Sequence, residues 1–446
     1  FMKILCVSLG CDKNLVDTEM MLGLLNRDGH TFTDDENEAD IIVINTCCFI
    51  GDAKEESVNT ILEMARLKET GRLKALIVTG CLAQRYKEEI TTEIPEVDAV
   101  LGTTSYEAVA QAVKEALGGH HTAIFKSIDE PVGETTDRLV TTGGHYAFLK
   151  IAEGCDKRCT YCIIPYLRGK YRSVPVEQLV KEAGELAEKG VKELILVAQE
   201  TTVYGKDLYG KKMLPELLHR LAGIPGIQWI RLQYCYPEEI TPELIEAIKT
   251  EEKVCHYLDI PIQHASDAVL KRMGRRTSNA EIRGLIETLR KEIPDIALRT
   301  TMISGFPGET EDDHQTLLDF VYDMEFDRLG VFAYSPEEDT PAYGFPDQVP
   351  EELKEERRDE IMELQQDIAF EKSARMKGRV LEVMIEGKVA DENAYVGRTY
   401  MDSPGVDGLI FVNTELPLMS GDFVRVRVTG SADYDLIGEV EHEFTE

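Results

Sequence analysis

Positive charge is what this chain of 446 residues has little of: 49 Lys and Arg stand against 82 Asp and Glu, a formal net charge of −33. Such a surface repels phosphate backbones and anionic membranes and attracts basic partners, so nucleic acid is a poor candidate for the main substrate. Long apolar runs are missing too. None approaches the ~20 residues that cross a bilayer, which excludes a spanning helix. The opening MKILCVSLGC, which follows Phe1, lacks an export pattern. With ten cysteines and no export signal, the expectation is the reducing cytoplasm, where clustered cysteines are metal ligands sooner than disulfides.

What is there begins with Cys155, Cys159 and Cys162 in GCDKRCTYC, directly after a strand-like run, Ala147 to Ile151. Three thiolates at this spacing can ligate three irons of a [4Fe–4S] cluster and leave the fourth open to bind and activate a small molecule. A structural zinc site usually wants four ligands in paired units, and no partner pair lies nearby.

Ile4–Leu9, Ile41–Asn45 and Leu76–Thr79 read as buried parallel strands, with helical stretches at Leu15–Arg27 and Ala53–Lys68 between them. This βαβ pattern predicts an open, mostly parallel α/β sheet. Each strand is followed at once by a cysteine: Cys11, Cys47 and Cys81. Ligand sites in such sheets lie at the carboxyl ends of strands, so the three can converge on a second site. Gly10 and Gly80 would let the backbone turn tightly beside two of them. Cys6, Cys48, Cys235 and Cys255 read as packing residues, since free cysteine is commonly buried. Residues 118–140 read as a linker, with His120 and His121 as solvated loop histidines.

Six further strand-like runs alternate with helix-length stretches: Ala147–Ile151, Glu193–Ala198, Trp229–Gln233, Tyr257–Ile262, Ala297–Ile303 and Leu329–Ala333. They predict an incomplete, six-unit (β/α) barrel, whose chemistry would gather at the C-terminal strand ends. Gln199, Glu200, Thr201, Gln263, His264 and the SGFPGE segment from Ser304 to Glu309 fall there. Pro350 to Lys377 reads as a charged helix with a solvated EELKEERR face. After about Met376 only five short strands follow, predicting a small OB-like β-barrel. That barrel holds six Lys or Arg against fourteen Asp or Glu, which suits a basic protein partner better than phosphate.

The order of a three-cysteine α/β domain, a CxxxCxxC half-barrel and a small acidic β-barrel resembles the radical S-adenosylmethionine (SAM) methylthiotransferase family over essentially the whole chain. The resemblance implies an N-terminal methylthiotransferase domain (2–117), a linker (118–140), a radical SAM core (141–375) and a TRAM domain (376–446). SLGCDKNLVDTE, YLDIPIQHAS and FAYSPEEDT look like the branch that methylthiolates the β-carbon of an aspartate in small-subunit ribosomal protein S-twelve. Asp12 replaces a usual Pro and Cys48 a usual Gly, and neither change removes a ligand.

By that resemblance Cys155, Cys159 and Cys162 hold a SAM-binding cluster, and Cys11, Cys47 and Cys81 an auxiliary cluster that presents the sulfur. SAM is cleaved to a radical that takes hydrogen from the unactivated carbon, so the catalytic work lies with the cofactors rather than with side chains. Gln199, Glu200, Gly305, Pro307 and Gly308 are expected at SAM. Lys157, Arg168 and Arg172, with Arg158 and Lys170 nearby, are expected at the carboxylate of substrate or SAM. The implied partners are the ribosomal protein, an electron donor such as flavodoxin or ferredoxin, and a sulfur source, with no membrane. The rival readings are a tRNA adenosine methylthiotransferase, disfavoured by the acidic barrel, and a non-catalytic two-cluster electron carrier, disfavoured by two three-cysteine sites in a large barrel.

Overall fold

In the computed structural model, which describes residues 1–134 and 137–441, the cysteine-bearing strands are the interior of the first sheet. This sheet holds β1 (Lys3–Ser8), β2 (Thr31–Phe32), β3 (Ile41–Thr46), β4 (Ala75–Gly80), β5 (Ala99–Leu101) and β6 (Thr122–Ile124). All are parallel, in the order β2-β1-β3-β4-β5-β6. Strands β3 and β4 are buried at every residue, as parallel strands covered on both faces must be. Strand β6 falls inside the stretch expected to be a linker. It is three residues long and joins β5 through backbone pairing, which needs no apolar pattern and left no periodic signal.

The six expected barrel strands form β7 (Tyr146–Lys150), β10 (Glu193–Val197), β11 (Trp229–Leu232), β12 (Val254–Asp259), β13 (Ala297–Ser304) and β14 (Arg328–Ala333). A short ribbon, β8 (Ala152–Glu153) with β9 (Arg172–Ser173), comes between the first two. The six pair in sequential order and parallel, an open half-barrel. Side chains alternate across it with period two. Leu194, Leu196, Ile230, Leu232, Leu258 and Leu298 pack against the outer helices. On the opposite face Phe148, Ile195 and Val197 pack against the N-terminal domain. Trp229, Cys255, Tyr257 and Ala297 pack against the C-terminal barrel. The concave side, which a closed barrel fills with its own side chains, is filled here by the other two domains.

Five strands, β15 (Val380–Lys388), β16 (Ala394–Arg398), β17 (Ile410–Asn413), β18 (Phe423–Ala432) and β19 (Asp435–Val440), close into the expected small barrel. The helix Glu351–Arg375 departs from the solvated face expected of it. Glu355 and Glu356 face outward, but Lys354 and Arg357 are only 3% and 5% exposed. The Lys354 ammonium donates to the Tyr334 carbonyl at 2.9 Å and Arg357 to Glu309 Oε1 at 2.9 Å. Long cationic stems bury readily once the charged head meets an acceptor, and that acceptor comes from elsewhere in the chain. Among the described residues no helix is long and apolar enough to cross a membrane.

Candidate functional site

The first cysteine triad is assembled by three strand ends. Cys11 caps the helix Asp12–Arg27, Cys47 follows β3, and Cys81 opens the helix Cys81–Arg85 after β4. Gly10 has φ +85°, and a Cβ there would lie 2.6 Å from Cys47 Cβ, so only glycine lets the Cys11 loop lie against Cys47. Asn14 ties the two loops by donating to the carbonyls of Leu9 (3.0 Å) and Thr46 (2.9 Å). The Ser57 hydroxyl accepts from the Cys47 N–H at 3.0 Å and donates to its carbonyl at 2.7 Å.

Burial pushes the Cys47 thiol up to about 11, and the neighbouring charges of Cys81 and Cys11 push the same way. Burial also raises Cys81, with Arg168 acting against it. Cys47 and Cys81 are buried and Cys11 half-buried, and as thiolates they would repel one another unless a cationic centre took their charge. Among the described residues no three donor side chains close on a single ion. A cubic cluster binds its thiolates at separate corners, wider apart than one ion's ligands, so the donor set fits a cluster. The remaining cysteines pack: Cys48 and Cys235 are wholly buried, Cys255 nearly so, and Cys6 lies against the first core.

The second triad follows β7. Cys155 N–H donates to the Gly169 carbonyl at 3.1 Å and Cys162 N–H to the Cys159 carbonyl at 3.0 Å. Gly154, at φ +83°, could carry no Cβ, which would lie 2.1 Å from the Lys170 carbonyl oxygen. Burial pushes Cys155 up to about 12 and raises Cys162, with Cys159 adding to both. The Lys157 N–H points at Cys155 Sγ from 3.5 Å, the kind of contact that stabilises an iron-bound thiolate.

Between the triads lies a buried quartet that was not foreseen in its paired form. Arg168, expected at a substrate or SAM carboxylate, is 2% exposed and its guanidinium is spent on the protein. It donates to Asp17 at 2.9 Å, to Glu153 at 3.3 Å and to Asn14 Oδ1. Lys150 pairs with Glu153 at 2.7 Å and with Asp17. Burial works against the charge of Glu153, but Lys150 and Arg168 hold its carboxyl down at about 2. Arg172 donates to the carbonyls of Arg168 (2.9 Å) and Lys170, within its own loop.

A cavity of about 390 Å³ opens beside the second triad, with Asp156, Lys157, Tyr171, Glu200 and Arg276 in its wall. Burial raises Glu200 to about 7, although the Lys157 ammonium stands 3.6 Å away and pulls it down. Lys157 also pairs with Glu239. Gln199 faces the cysteine loop: it accepts from Gly154 N–H at 2.9 Å and donates to Glu153 at 3.0 Å.

The SGFPGE glycines are hemmed in by protein side chains where a Cβ would stand. A Cβ on Gly305 would lie 2.1 Å from Lys354 Cγ, and one on Gly308 2.3 Å from an Arg272 nitrogen, so protein side chains fill that space. Pro307 lies in the same turn. His264 is also inside, wholly buried. It accepts from Ser266 N–H on Nδ1 (3.0 Å), which leaves Nε2 to donate to Glu309 at 2.8 Å.

Sequence reasoning passed over Tyr234. It sits just past β11 with φ +57°, a strained conformation for a bulky residue. Its hydroxyl donates to Asp12 at 3.1 Å and the Lys13 ammonium lies 3.5 Å from its ring centre. With Cys11 and Arg299 it lines a second cavity, of about 330 Å³, whose rim is the Pro404–Val406 loop of the C-terminal barrel. Its place after a barrel strand was the available signal.

Three family descriptions match the chain: Uncharacterized protein family UPF0004 over residues 3–102, Radical SAM superfamily over 149–321 and TRAM domain over 378–440. A protein of Lachnoclostridium phytofermentans named ribosomal protein uS12 methylthiotransferase RimO is 66% identical over 440 residues, which cover 99% of this chain and 100% of the relative. A Clostridioides difficile protein of the same name is 51% identical over 442 residues, 99% of each chain. Among solved structures, the radical S-adenosylmethionine methyltransferase TsrM of Kitasatospora setae, with cobalamin and a [4Fe–4S] cluster bound, superposes with a TM-score of 0.55. It is 14% identical and covers 76% of this chain and 77% of that one, a likeness of fold.

Proposed function

The chain belongs to the family of ribosomal protein uS12 methylthiotransferases, and from that premise we propose that it adds a methylthio group to the β-carbon of an aspartate in ribosomal protein S-twelve. The full-length likeness to those relatives carries the reading, and the two strand-end cysteine triads flanking one buried network support it. Cys155, Cys159 and Cys162 would hold the cluster that takes up SAM, and Cys11, Cys47 and Cys81 a second cluster. Bound there, these groups would supply hydrogen abstraction, sulfur and methyl, which no side-chain acid or base can bring to an unactivated C–H.

The protein's own part is binding and orientation. On the wall of the 390 Å³ cavity, Lys157 offers a cation and Glu200 a carboxyl that titrates near neutrality, a pair suited to SAM's carboxylate and amino groups. Gln199 holds Gly154 and Glu153 and so keeps the cysteine loop in place. Tyr234 and Asp12 shape the second cavity beside Cys11, where the substrate aspartate would enter. The acidic C-terminal barrel suits a basic ribosomal protein. An electron donor such as flavodoxin or ferredoxin and a sulfur source complete the reaction, in the cytoplasm.

The test is anaerobic: both clusters are reconstituted, SAM and reductant added, and the ribosomal protein and unmodified tRNA offered in parallel. A methylthio group found by mass spectrometry on an aspartate peptide alone supports the reading. A modified adenosine moves the protein to tRNA, and failure to cleave SAM leaves only an electron carrier.

A further inference from the structure

The buried quartet of Asp17, Lys150, Glu153 and Arg168 is tied through its arginine to the loops of the first triad. We propose that Arg168 is a positioning residue whose buried cation raises the reduction potential of the cluster held by Cys11, Cys47 and Cys81. The inference rests on the reading that this triad holds a cluster.

Arg168 belongs to the chain of the second triad, ending the helix Ile164–Arg168 that follows Cys162. Its guanidinium nonetheless reaches across to the first domain, to Asp17 and Asn14. Asn14 is the residue that ties the Cys11 loop to the Cys47 loop, so the guanidinium is anchored to the frame of the first triad. The helix Cys81–Arg85 also packs against the helix Ile164–Arg168, and Cys81 shares a buried core with Leu167.

The formal charges of Arg168, Lys150, Asp17 and Glu153 cancel. Their effect on a neighbouring cluster therefore depends on which end faces it. The guanidinium gives one nitrogen to the carboxylates of Asp17 and Glu153 and the other to Asn14, so the edge turned to the loops of the first triad is cationic and the carboxylates hold the other nitrogen. All four are buried, so water and salt screen them weakly. Reduction adds negative charge to a cluster. A fixed cation beside a ligand sulfur stabilises that reduced form and lifts the potential.

The experiment uses the full-length protein with Cys155, Cys159 and Cys162 all replaced by Ala, so that only the first cluster is present. Its midpoint potential is read by dithionite titration followed by electron paramagnetic resonance. Arg168→Met should move the midpoint to more negative values and Glu153→Gln to more positive ones, while Arg168→Lys stays near the parent. An unmoved midpoint in Arg168→Met, or a shift of both variants in one direction, overturns the inference, because a merely structural role has no charge-dependent sign. If Arg168→Met takes up no iron, Glu153→Gln decides: a positive shift supports the inference and none overturns it. A parent with well under about four irons per chain overturns the cluster reading and the inference with it, whereas four irons and an unmoved midpoint overturn the inference alone.

Discussion

Glu193 and Arg398 stand 205 positions apart and meet in a forked ion pair, 2.6 Å and 3.2 Å, with both side chains at 0% exposure. Glu193 starts the second half-barrel strand and Arg398 ends the second strand of the C-terminal barrel. Arg231 adds a second cation to Glu193 at 2.8 Å. The C-terminal barrel is therefore locked into the concave face of the half-barrel, where it can form one wall of the cavity beside Cys11.

Removing one partner leaves a buried charge uncompensated. Arg398→Met should cost about 3–5 kcal/mol and loosen the C-terminal barrel first. Limited proteolysis checks this: new cleavage near residues 376–380 is expected, and an unchanged digestion pattern and melting curve would remove the lock from the account.

Gly10→Ala puts a Cβ 2.6 Å from Cys47 Cβ in a φ +85° conformation. The Cys11 and Cys47 loops must separate, and the first triad should lose its cluster while the second keeps its own. Iron should fall from about eight to about four per chain. Full iron content in the variant would show that the loops tolerate the strain.

Gly305→Ala meets Lys354 Cγ at 2.1 Å with φ +74°. A loss of about 1–3 kcal/mol is expected from strain and displacement of the lysine. Chemical denaturation measures it, and a cost below that range would mean the helix Glu351–Arg375 yields.

Glu200 makes stability depend on pH in a stated direction. Burial pushes its carboxyl up from the ordinary 4.5 to about 7 in the folded chain. As pH rises from 4.5 the unfolded chain ionises first, so stability falls until about pH 7 and then levels. The loss is on the order of 3 kcal/mol. Glu200→Gln removes this slope. The melting temperature of the cluster-free variant should exceed that of the parent by more at pH 8 than at pH 5, and an equal difference at both would sink the assignment.

The strand-end positions of Cys11, Cys47, Cys81, Cys155, Cys159 and Cys162, the six half-barrel strands and the closing five-stranded barrel could all be read from the amino-acid sequence. Each leaves a local trace: a cysteine just after an apolar run, alternation of strand and helix lengths, a change to short strands alone. The three-residue strand β6 left none, because backbone pairing is indifferent to side-chain type. Charged residues were the harder matter. Arg168, Lys354, Arg357 and Arg398 look alike in sequence, as solvated cations or anion binders, yet the fold buries each against an acceptor distant in the chain. Local patterns decide whether a segment is strand or helix because hydrogen bonding and burial repeat along it. Only the tertiary structure decides which charge meets which, because the stability of a buried ion pair depends on a partner whose separation along the chain carries no period.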